Sequence, residues 1–347
     1  MAAYAVVIAR MQLKLGRLLH FVAALVLSSG AASAQTENVY KGKTLTIISG
    51  FAAGGGVDTA ARVVQRHLWR FIPGSPNIIV QSIEGAGGVI AANFLDKRVP
   101  PDGLTLGMPG RSWYVEGIVK TPGVNFDPTR FAFIGSSGVV ASFLFVRADT
   151  GIKTFDDLRK SRKPIPLAAI TAGTPTAMVP RLLAQIGVPV EAVLGYGSTA
   201  RTLVAVESGE AAGLFITEDS IARRPDLFKN RVIIPVLQTR PVLPDIPLLR
   251  DVVPPSRQGL LDLALALDTF GLMLVGPPGV PADRIAILRK AFSEMCADRE
   301  YLGDMARVDL IAGEPLTGEA LETAMHALAS KATPETIAQY RELGGRK

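Results

Sequence analysis

Three consecutive glycines, Gly54, Gly55 and Gly56, are the residues of this chain whose type and spacing most directly predict a binding site. They separate a short apolar run, residues 45–48, from residues with helical spacing, so they lie between a predicted strand and a predicted helix. Bare backbone N–H groups at a helix N-terminus suit a carboxylate or a phosphate. The spacing matches neither the dinucleotide fingerprint nor the P-loop. A turn that only reverses the chain fits the same residues, so the motif alone leaves both interpretations open.

The unit of strand, small-residue loop and helix recurs along the chain. The further predicted strands and the loops after them are 77–81 with Glu84–Gly88, 104–108 with Gly110–Tyr114, 165–170 with Thr171–Thr176, and 190–194 with Gly195–Ala200. In an open α/β sheet, the loops at the carboxyl ends of the strands line one crevice, where ligands bind. The repetition therefore favours the anion site over the plain turn.

Side chains in these loops add candidate contacts. Arg111 could supply a fixed positive charge beside a carboxylate, or it could be an ordinary exposed arginine. Trp113 and Tyr114 fit either a wall that stacks on a flat ligand or the apolar core. The threonines of 171–176 can donate hydrogen bonds to a ligand, and a helix N-cap role is compatible with the same residues.

The first 34 residues have the features of a secretory signal peptide. They contain no acidic residue, three basic residues, the apolar run Leu18–Leu27 and a closing Ala32-Ser33-Ala34, which predicts cleavage after Ala34 and export. An N-terminal membrane anchor is the alternative. Removal of these residues takes the formal net charge from +6 to +3. The mature chain has no run of Lys and Arg interleaved with aromatics, which argues against nucleic acid as a partner.

Cysteine and histidine are scarce in the mature chain. It has one cysteine, Cys296, and two histidines, His67 and His326, which we interpret as surface or helix-flank residues. An intramolecular disulfide is therefore impossible, and a zinc site or a Ser-His-Asp arrangement is disfavoured. We predict no catalytic residue, metal or cofactor. About 313 residues are enough for two domains with separate cores.

Six segments carry a resemblance to a known family. They are, in chain order, Tyr40–Lys43, Ile48–Arg62, Glu84–Gly88, Pro101–Gly103, Tyr196–Ser198 and Gly276–Pro281. In this order, over essentially the whole mature chain, they resemble the Bug or TctC-type solute-binding proteins of tripartite tricarboxylate transporters. The resemblance implies an α/β, bilobed type II periplasmic-binding-protein-like fold, with two doubly wound α/β lobes joined by crossover strands. It implies a first lobe of 36–142 plus 238–347 and a second lobe of 143–237.

The resemblance also implies where a ligand binds. In that family a ligand carboxylate or carbonyl is held mainly by backbone N–H groups and ordered waters of the first two glycine loops. Carried over by position, and with Arg111 added from its own chemistry, the predicted ligand-binding residues are Phe51, Ala52, Ala53, Gly54, Gly55, Gly56, Asp58, Gly85, Ala86, Gly87, Gly88, Arg111, Thr171, Gly173, Thr174, Gly197 and Ser198. Where the family usually has a glycine- and serine-rich loop ending near a histidine, this chain has Thr171–Thr176 and Met178. The distal half of the pocket therefore suits a different ligand, and citrate is not assumed.

Three functions are compatible with these observations. The first is a monomeric periplasmic receptor that captures a small organic carboxylate and delivers it to a membrane permease, with no cofactor and no enzymatic activity. The second is a ligand sensor that presents its closed form to a membrane receptor. The third is an exported hydrolase of a carboxylate ester or amide, which the scarcity of histidine and cysteine disfavours.

Overall fold

The computed structural model describes residues 39–222, 224–308, 310 and 313–345, so the predicted signal peptide lies outside the described residues. The strands are β1 (Thr44–Ser49), β2 (Asn77–Ser82), β3 (Thr105–Met108), β4 (Ala132–Val139), β5 (Ser142–Arg147), β6 (Ile165–Ala168), β7 (Val190–Val193), β8 (Gly213–Thr217), β9 (Ile233–Gln238), β10 (Met273–Gly276) and β11 (Glu314–Thr317). The α-helices are α1 (Gly56–Leu68), α2 (Val89–Arg98), α3 (Trp113–Ile118), α4 (Phe155–Arg159), α5 (Pro175–Gln185), α6 (Thr199–Ser208), α7 (Glu218–Ile221), α8 (Pro225–Lys229), α9 (Leu249–Val252), α10 (Gln258–Thr269), α11 (Ala282–Ala297), α12 (Arg299–Arg307), α13 (Gly318–Lys331) and α14 (Pro334–Leu343). None of the described helices combines the length and the apolar composition that a membrane crossing requires.

Six strands form the first sheet, in the order β11-β4-β10-β3-β1-β2. Strands β2 and β3 pair in parallel with β1, whereas β10 runs antiparallel to both β3 and β4. Strands β1 to β4 therefore share one direction. The loops after β1, β2 and β3 lie together at one edge, which we call the carboxyl edge of the first sheet.

Five strands form the second sheet, in the order β7-β6-β8-β5-β9. Strand β6 pairs in parallel with β7 and β8, while β5 runs antiparallel to β8 and β9. The loops after β6, β7, β8 and β9 and the first residue of β5 thus share the carboxyl edge of the second sheet. The predicted bilobed α/β architecture is confirmed, and both sheets are mixed. The exact lobe boundaries stay a prediction.

The two carboxyl edges adjoin. Strand β4 ends at Val139, at the edge of the first sheet, and β5 begins at Ser142, at the edge of the second, so only residues 140–141 connect them. We call the space between these two edges the cleft. In open α/β sheets this is the position in which ligands bind.

Apolar packing on both faces of the sheets supplies the stability of a chain whose single cysteine is a free thiol. Leu45 and Ile47 of β1 lie in one cluster with Val64 of α1 and Phe292 of α11. A second cluster extends from Trp113 through helices α5 and α10 and so joins the two lobes. Full burial of each large apolar side chain contributes roughly 1.5–3 kcal/mol.

Strand β4 is absent from the sequence-based prediction. Its sequence, Ala132–Val139, contains Gly135, Ser136, Ser137 and Gly138, which are turn-forming residue types. The structure gives the reason for the glycines. A Cβ on Gly138 would lie 2.4 Å from backbone atoms of Gly313, and one on Gly135 would lie 2.4 Å from the Phe292 ring. Neighbouring elements therefore approach this strand too closely for larger side chains.

Ile90, near the start of α2, is 47% exposed although it is a large apolar residue. His67, predicted as a surface or helix-flank residue, is not on the surface. It is buried, and its ring nitrogens lie 2.9 Å from an Asp304 oxygen and 2.7 Å from an Arg70 nitrogen. His326 is exposed, as predicted.

Candidate functional site

Asp58 determines the conformation of the first glycine loop, residues 51–56. Its fully buried carboxylate accepts hydrogen bonds from the Gly54 N–H at 2.9 Å, Ser82 Oγ at 3.0 Å and Arg62 Nε at 2.8 Å. Burial by itself raises the pKa of Asp58, but the bonds from Arg62, Gly54 and Ser82 outweigh it and hold the pKa below its ordinary value of 3.8. Both carboxylate oxygens are thus engaged within the protein, so Asp58 shapes the loop and offers no free carboxylate oxygen at the site.

Asp58→Asn is expected to destabilise the protein by about 1–2 kcal/mol at about pH 7, because charge-assisted bonds are lost while the exposed Arg62 regains solvent. Because the pKa of Asp58 is lower in the folded state than in the unfolded state, the ionised carboxylate stabilises the fold at pH values above the unfolded pKa. This contribution is lost as the pH falls through the folded-state pKa. The difference from wild type should therefore shrink below about pH 4. Urea denaturation at about pH 7 and below about pH 4 measures this difference in stability. Asp251→Asn, an exposed position, is the control, and equal midpoints for both variants would contradict this role of Asp58.

The first glycine loop presents unpaired backbone donors. Among the described residues, the N–H groups of Ala52, Ala53 and Gly56 have no hydrogen-bond partner, whereas the Gly55 N–H donates to the Ala52 carbonyl. Ala52, Ala53 and Gly54 are exposed at the carboxyl edge. A carboxylate placed there would accept bonds that the protein itself does not satisfy.

The second glycine loop, residues 84–88, has an unusual backbone. Gly85, Ala86, Gly87 and Gly88 all have positive φ, and the Gly87 carbonyl accepts a bond from Ser112 Oγ at 2.8 Å. A side chain at Gly88 would place its Cβ 1.8 Å from the Pro109 carbonyl oxygen. Only glycine permits this approach.

Pro109, in the loop after β3, is the residue that the other two loops of the first sheet approach closely. Its carbonyl oxygen would also lie 2.4 Å from a Cβ on Gly50, directly before the first glycine loop. The Phe51 ring covers Gly110, where a Cβ would lie 2.3 Å from that ring. The structure therefore brings together the predicted site residues of the first lobe.

Arg111 follows Gly110 at the same edge and is half-buried. Its guanidinium has no hydrogen bond or ion pair within the part of the chain that the structure describes. Trp113 and Tyr114, in contrast, are fully buried, and the Tyr114 hydroxyl donates to the Met325 carbonyl at 2.7 Å. These two rings belong to the core, so the alternative of a stacking wall is excluded.

The hydroxyl groups of the second sheet's loops are largely used within the loops. Thr174 Oγ1 donates to the Thr171 carbonyl at 2.7 Å, and Thr176 Oγ1 accepts from the Ile170 N–H at 3.0 Å. Ser198 is the N-cap of α6 and accepts from the Arg201 N–H. The Thr171 side chain is exposed. Gly173, Thr174, Gly197 and Ser198 lie at the carboxyl edge of the second sheet, across the cleft from the glycine loops.

Asp268 is a charged residue of the cleft that the sequence-based prediction missed. It lies near the end of α10, and Ser142 Oγ, at the start of β5, donates to its Oδ2 at 3.1 Å. Burial raises the pKa of Asp268 to about 6, nearby Arg111 and the Ser142 bond lower it, and Asp219 raises it further. Asp219, in α7 after β8, has a buried Oδ1 with no partner among the described residues. Nothing in its local sequence distinguishes Asp268 from an ordinary acidic residue on a helix surface.

The described residues also contain one group with metal-ligand geometry. Ligand atoms of His67, Asp298 and Glu300 lie within 4.8 Å of one another. The Arg70 guanidinium already lies 2.7 Å from His67 Nδ1 and donates to Asp298 at 2.6 Å and Glu300 at 2.8 Å. Arg70 therefore occupies the cation position, and the cluster joins α1 to α12 as an ion-pair network.

A cavity of about 720 Å³ lies outside the cleft. Lys97, Lys120 and Arg130 contribute its basic lining, and Ile118 and Ile337 contribute apolar surface. It contains none of the predicted site residues. The loop geometry, and not this cavity, therefore defines the candidate site.

Comparison with curated proteins gives two partial matches. The chain is 26% identical over 158 residues to the UPF0065 protein in the tcbD-tcbE intergenic region of Pseudomonas sp. strain P51, which covers 45% of this chain and 46% of that protein. It is 34% identical over 90 residues to protein BugT of Bordetella pertussis, covering 26% of this chain and 27% of that protein. The matches thus span less than half the length of these relatives. No family model matches the chain.

Solved structures match over most of the chain. A TctC solute-binding protein from Polaromonas, without ligand, superposes with a TM-score of 0.68 at 15% identity, covering 88% of this chain and 98% of that one. MatC from Rhodopseudomonas palustris with bound malate superposes with a TM-score of 0.53 at 19% identity, covering 87% of this chain and 99% of that one. Another R. palustris protein, with adipate, superposes with a TM-score of 0.55 at 17% identity, covering 88% of this chain and 98% of that one.

These comparisons identify the fold. The chain has the bilobed α/β fold of periplasmic solute-binding proteins, and within that class it has the fold of the TctC and Bug type. The resemblance predicted from the sequence is confirmed.

Proposed function

We propose that this chain is a periplasmic receptor that binds a small organic carboxylate in the cleft and delivers it to a tripartite tricarboxylate-type membrane permease. The observation that carries the proposal is the set of N–H groups of Ala52, Ala53 and Gly56 at the carboxyl edge, which have no partner among the residues that the structure describes. Such groups at a helix N-terminus bind anions. The malate and adipate bound in two structures of the same fold support carboxylates as the ligand class.

The ligand-binding residues of this proposal come from both lobes. The two glycine loops and Arg111 would hold one carboxylate, and Thr171, Gly173, Thr174, Gly197 and Ser198 would contact the remainder of the ligand. Closure of the lobes about the cleft would bury it, with the receptor acting as a monomer.

We infer that the chain is not a hydrolase. Cys296 is buried, and burial raises the pKa of its thiol to about 12, which leaves the thiol unreactive at neutral pH. His67 is held by Asp304 and Arg70, and His326 Nε2 lies 3.0 Å from the Thr129 carbonyl oxygen. Neither histidine belongs to the loops of the cleft.

Thermal denaturation of residues 35–347 with malate, adipate and their diamides tests the proposal. A ligand that binds only the folded state raises the melting temperature by mass action, and a concentration about 100 times Kd adds about 2.7 kcal/mol. We expect stabilisation by a dicarboxylate and none by its diamide. The protein should first be unfolded and refolded to remove a retained ligand. If no organic acid of a broad panel stabilised the refolded protein, the carboxylate-receptor proposal would be wrong.

A further inference from the structure

We propose that Asp268 is a specificity-determining residue of the cleft, whose carboxyl group opposes dianionic ligands while it is ionised and admits them once it is protonated. This inference rests on the carboxylate-receptor function proposed above. It names the group that selects among carboxylates by charge.

The topology places Asp268 at the cleft. Strand β10 runs antiparallel to β3, with Val275 opposite Gly107, so the chain that enters β10 lies beside the end of β3 and Arg111. The bond from Ser142 Oγ to Asp268 Oδ2 reaches the first residue of β5, which pairs with Thr217 at the end of β8. Asp268 therefore lies where the carboxyl edges of the two sheets meet.

The groups around Asp268 leave an excess of negative charge. The loop after β3 contributes Arg111, α7 contributes Asp219, and β5 contributes only the uncharged Ser142. On α10 itself, Asp262 is paired with Arg250 and Lys331. With both cleft aspartates ionised, the set of Arg111, Asp219 and Asp268 carries a formal charge of −1. Protonation of Asp268 makes this set of three residues formally neutral, so the set no longer repels an incoming carboxylate.

The titration of Asp268 falls in an accessible range. Burial raises its pKa to about 6, and the Asp219 charge acts in the same direction, against the opposing effects of Arg111 and Ser142. The neutral form also gains a donor, since a protonated carboxyl can donate a hydrogen bond to a ligand carboxylate. The group thus changes from repelling an anion to binding one as the pH falls through about 6.

Calorimetric titration with malate and adipate, from about pH 5.5 to about pH 7.5, tests this inference on wild type and Asp268→Asn. Malate and adipate also change their own ionisation over this range. The informative quantity is therefore the dissociation constant of wild type divided by that of Asp268→Asn, for the same ligand at the same pH. We expect wild type to bind about as tightly as Asp268→Asn at about pH 5.5 and about tenfold more weakly at about pH 7.5. Asp251→Asn, exposed on α9, should follow wild type at both pH values.

Asp219→Asn provides a second variant in case Asp268→Asn does not fold. Removal of the Asp219 charge takes away a like charge and lowers the pKa of Asp268. The loss of affinity should therefore begin at a lower pH than in wild type. An unchanged onset in this variant would contradict the coupling.

The outcomes separate the two proposals. A ratio that is constant with pH, with malate or adipate bound throughout, overturns the role of Asp268 and leaves the receptor function in place. Absence of binding by every organic acid at every pH overturns the receptor function, and this inference with it. A pH-dependent ratio that Asp251→Asn does not alter supports the inference.

Discussion

Replacement of Gly88 by alanine is expected to weaken dicarboxylate binding by about 100-fold or more, which corresponds to about 2.7 kcal/mol. The Cβ of alanine would lie 1.8 Å from the Pro109 carbonyl oxygen and 2.8 Å from its carbonyl carbon. Both are backbone atoms that cannot rotate away. Gly88 also has a φ of 96°, which is unfavourable for alanine. The second glycine loop must therefore move away from the loop after β3, and the contact at Pro109 that aligns the three loops is lost.

Calorimetric titration of Gly88→Ala with malate and adipate measures this effect, and urea denaturation verifies that the variant is folded. Gly303→Ala is the matched control, because Gly303 lies in α12 and a Cβ there has no neighbour within 4 Å. The control should bind like wild type and gain up to about 1 kcal/mol of stability from alanine's helix propensity. Undiminished affinity in a folded Gly88→Ala protein would show that the alignment of the glycine loops does not determine binding.

The strongly patterned elements of the fold could be predicted from the sequence. Strand β1, helix α1 and strand β2 were predicted because apolar runs, glycine breaks and helical spacing follow one another within residues 44–82. Strand β4 could not be predicted in this way, because the tight approach of Gly313 and Phe292 requires small residues within it. Local propensity at Gly135 and Gly138 was overridden by tertiary packing.

The residues of the candidate site also differ in whether the sequence alone predicts their role. The glycine loops could be predicted because backbone conformation requires a particular residue type, which the sequence displays. The hydrogen bonds that Gly54, Ser82 and Arg62 donate to the buried Asp58 carboxylate could not be predicted as a set, since Ser82 is 24 residues away. Asp268 is a stronger case. Its hydrogen-bond partner Ser142 begins β5, and Arg111, whose charge acts on its pKa, follows β3, so only the sheet topology shows that they meet.

Replacement of Trp113 by alanine is the second prediction with a large effect, and we expect it to destabilise the protein by about 3–5 kcal/mol. Trp113 is fully buried, and its ring lies 4.9 Å from Phe131, 5.6 Å from Tyr114 and 5.7 Å from Phe126, measured between centroids. Alanine would leave a cavity among these aromatic side chains that the rigid surroundings cannot fill. Trp113→Phe should cost much less, because it retains an aromatic ring and removes an indole N–H that has no partner among the described residues.

Trp69 makes the prediction testable within the same chain, since it is the other of the two tryptophans. It is 42% exposed, and its indole donates to the Arg66 carbonyl at 3.0 Å, so Trp69→Ala should cost no more than about 1 kcal/mol. In that variant the remaining fluorescence reports on Trp113 alone and should shift to longer wavelength on unfolding. Trp113 begins α3 two residues after Arg111, so its packing also anchors the chain segment next to that residue. A similar loss of stability in Trp69→Ala and Trp113→Ala would contradict the burial that makes Trp113 a core residue.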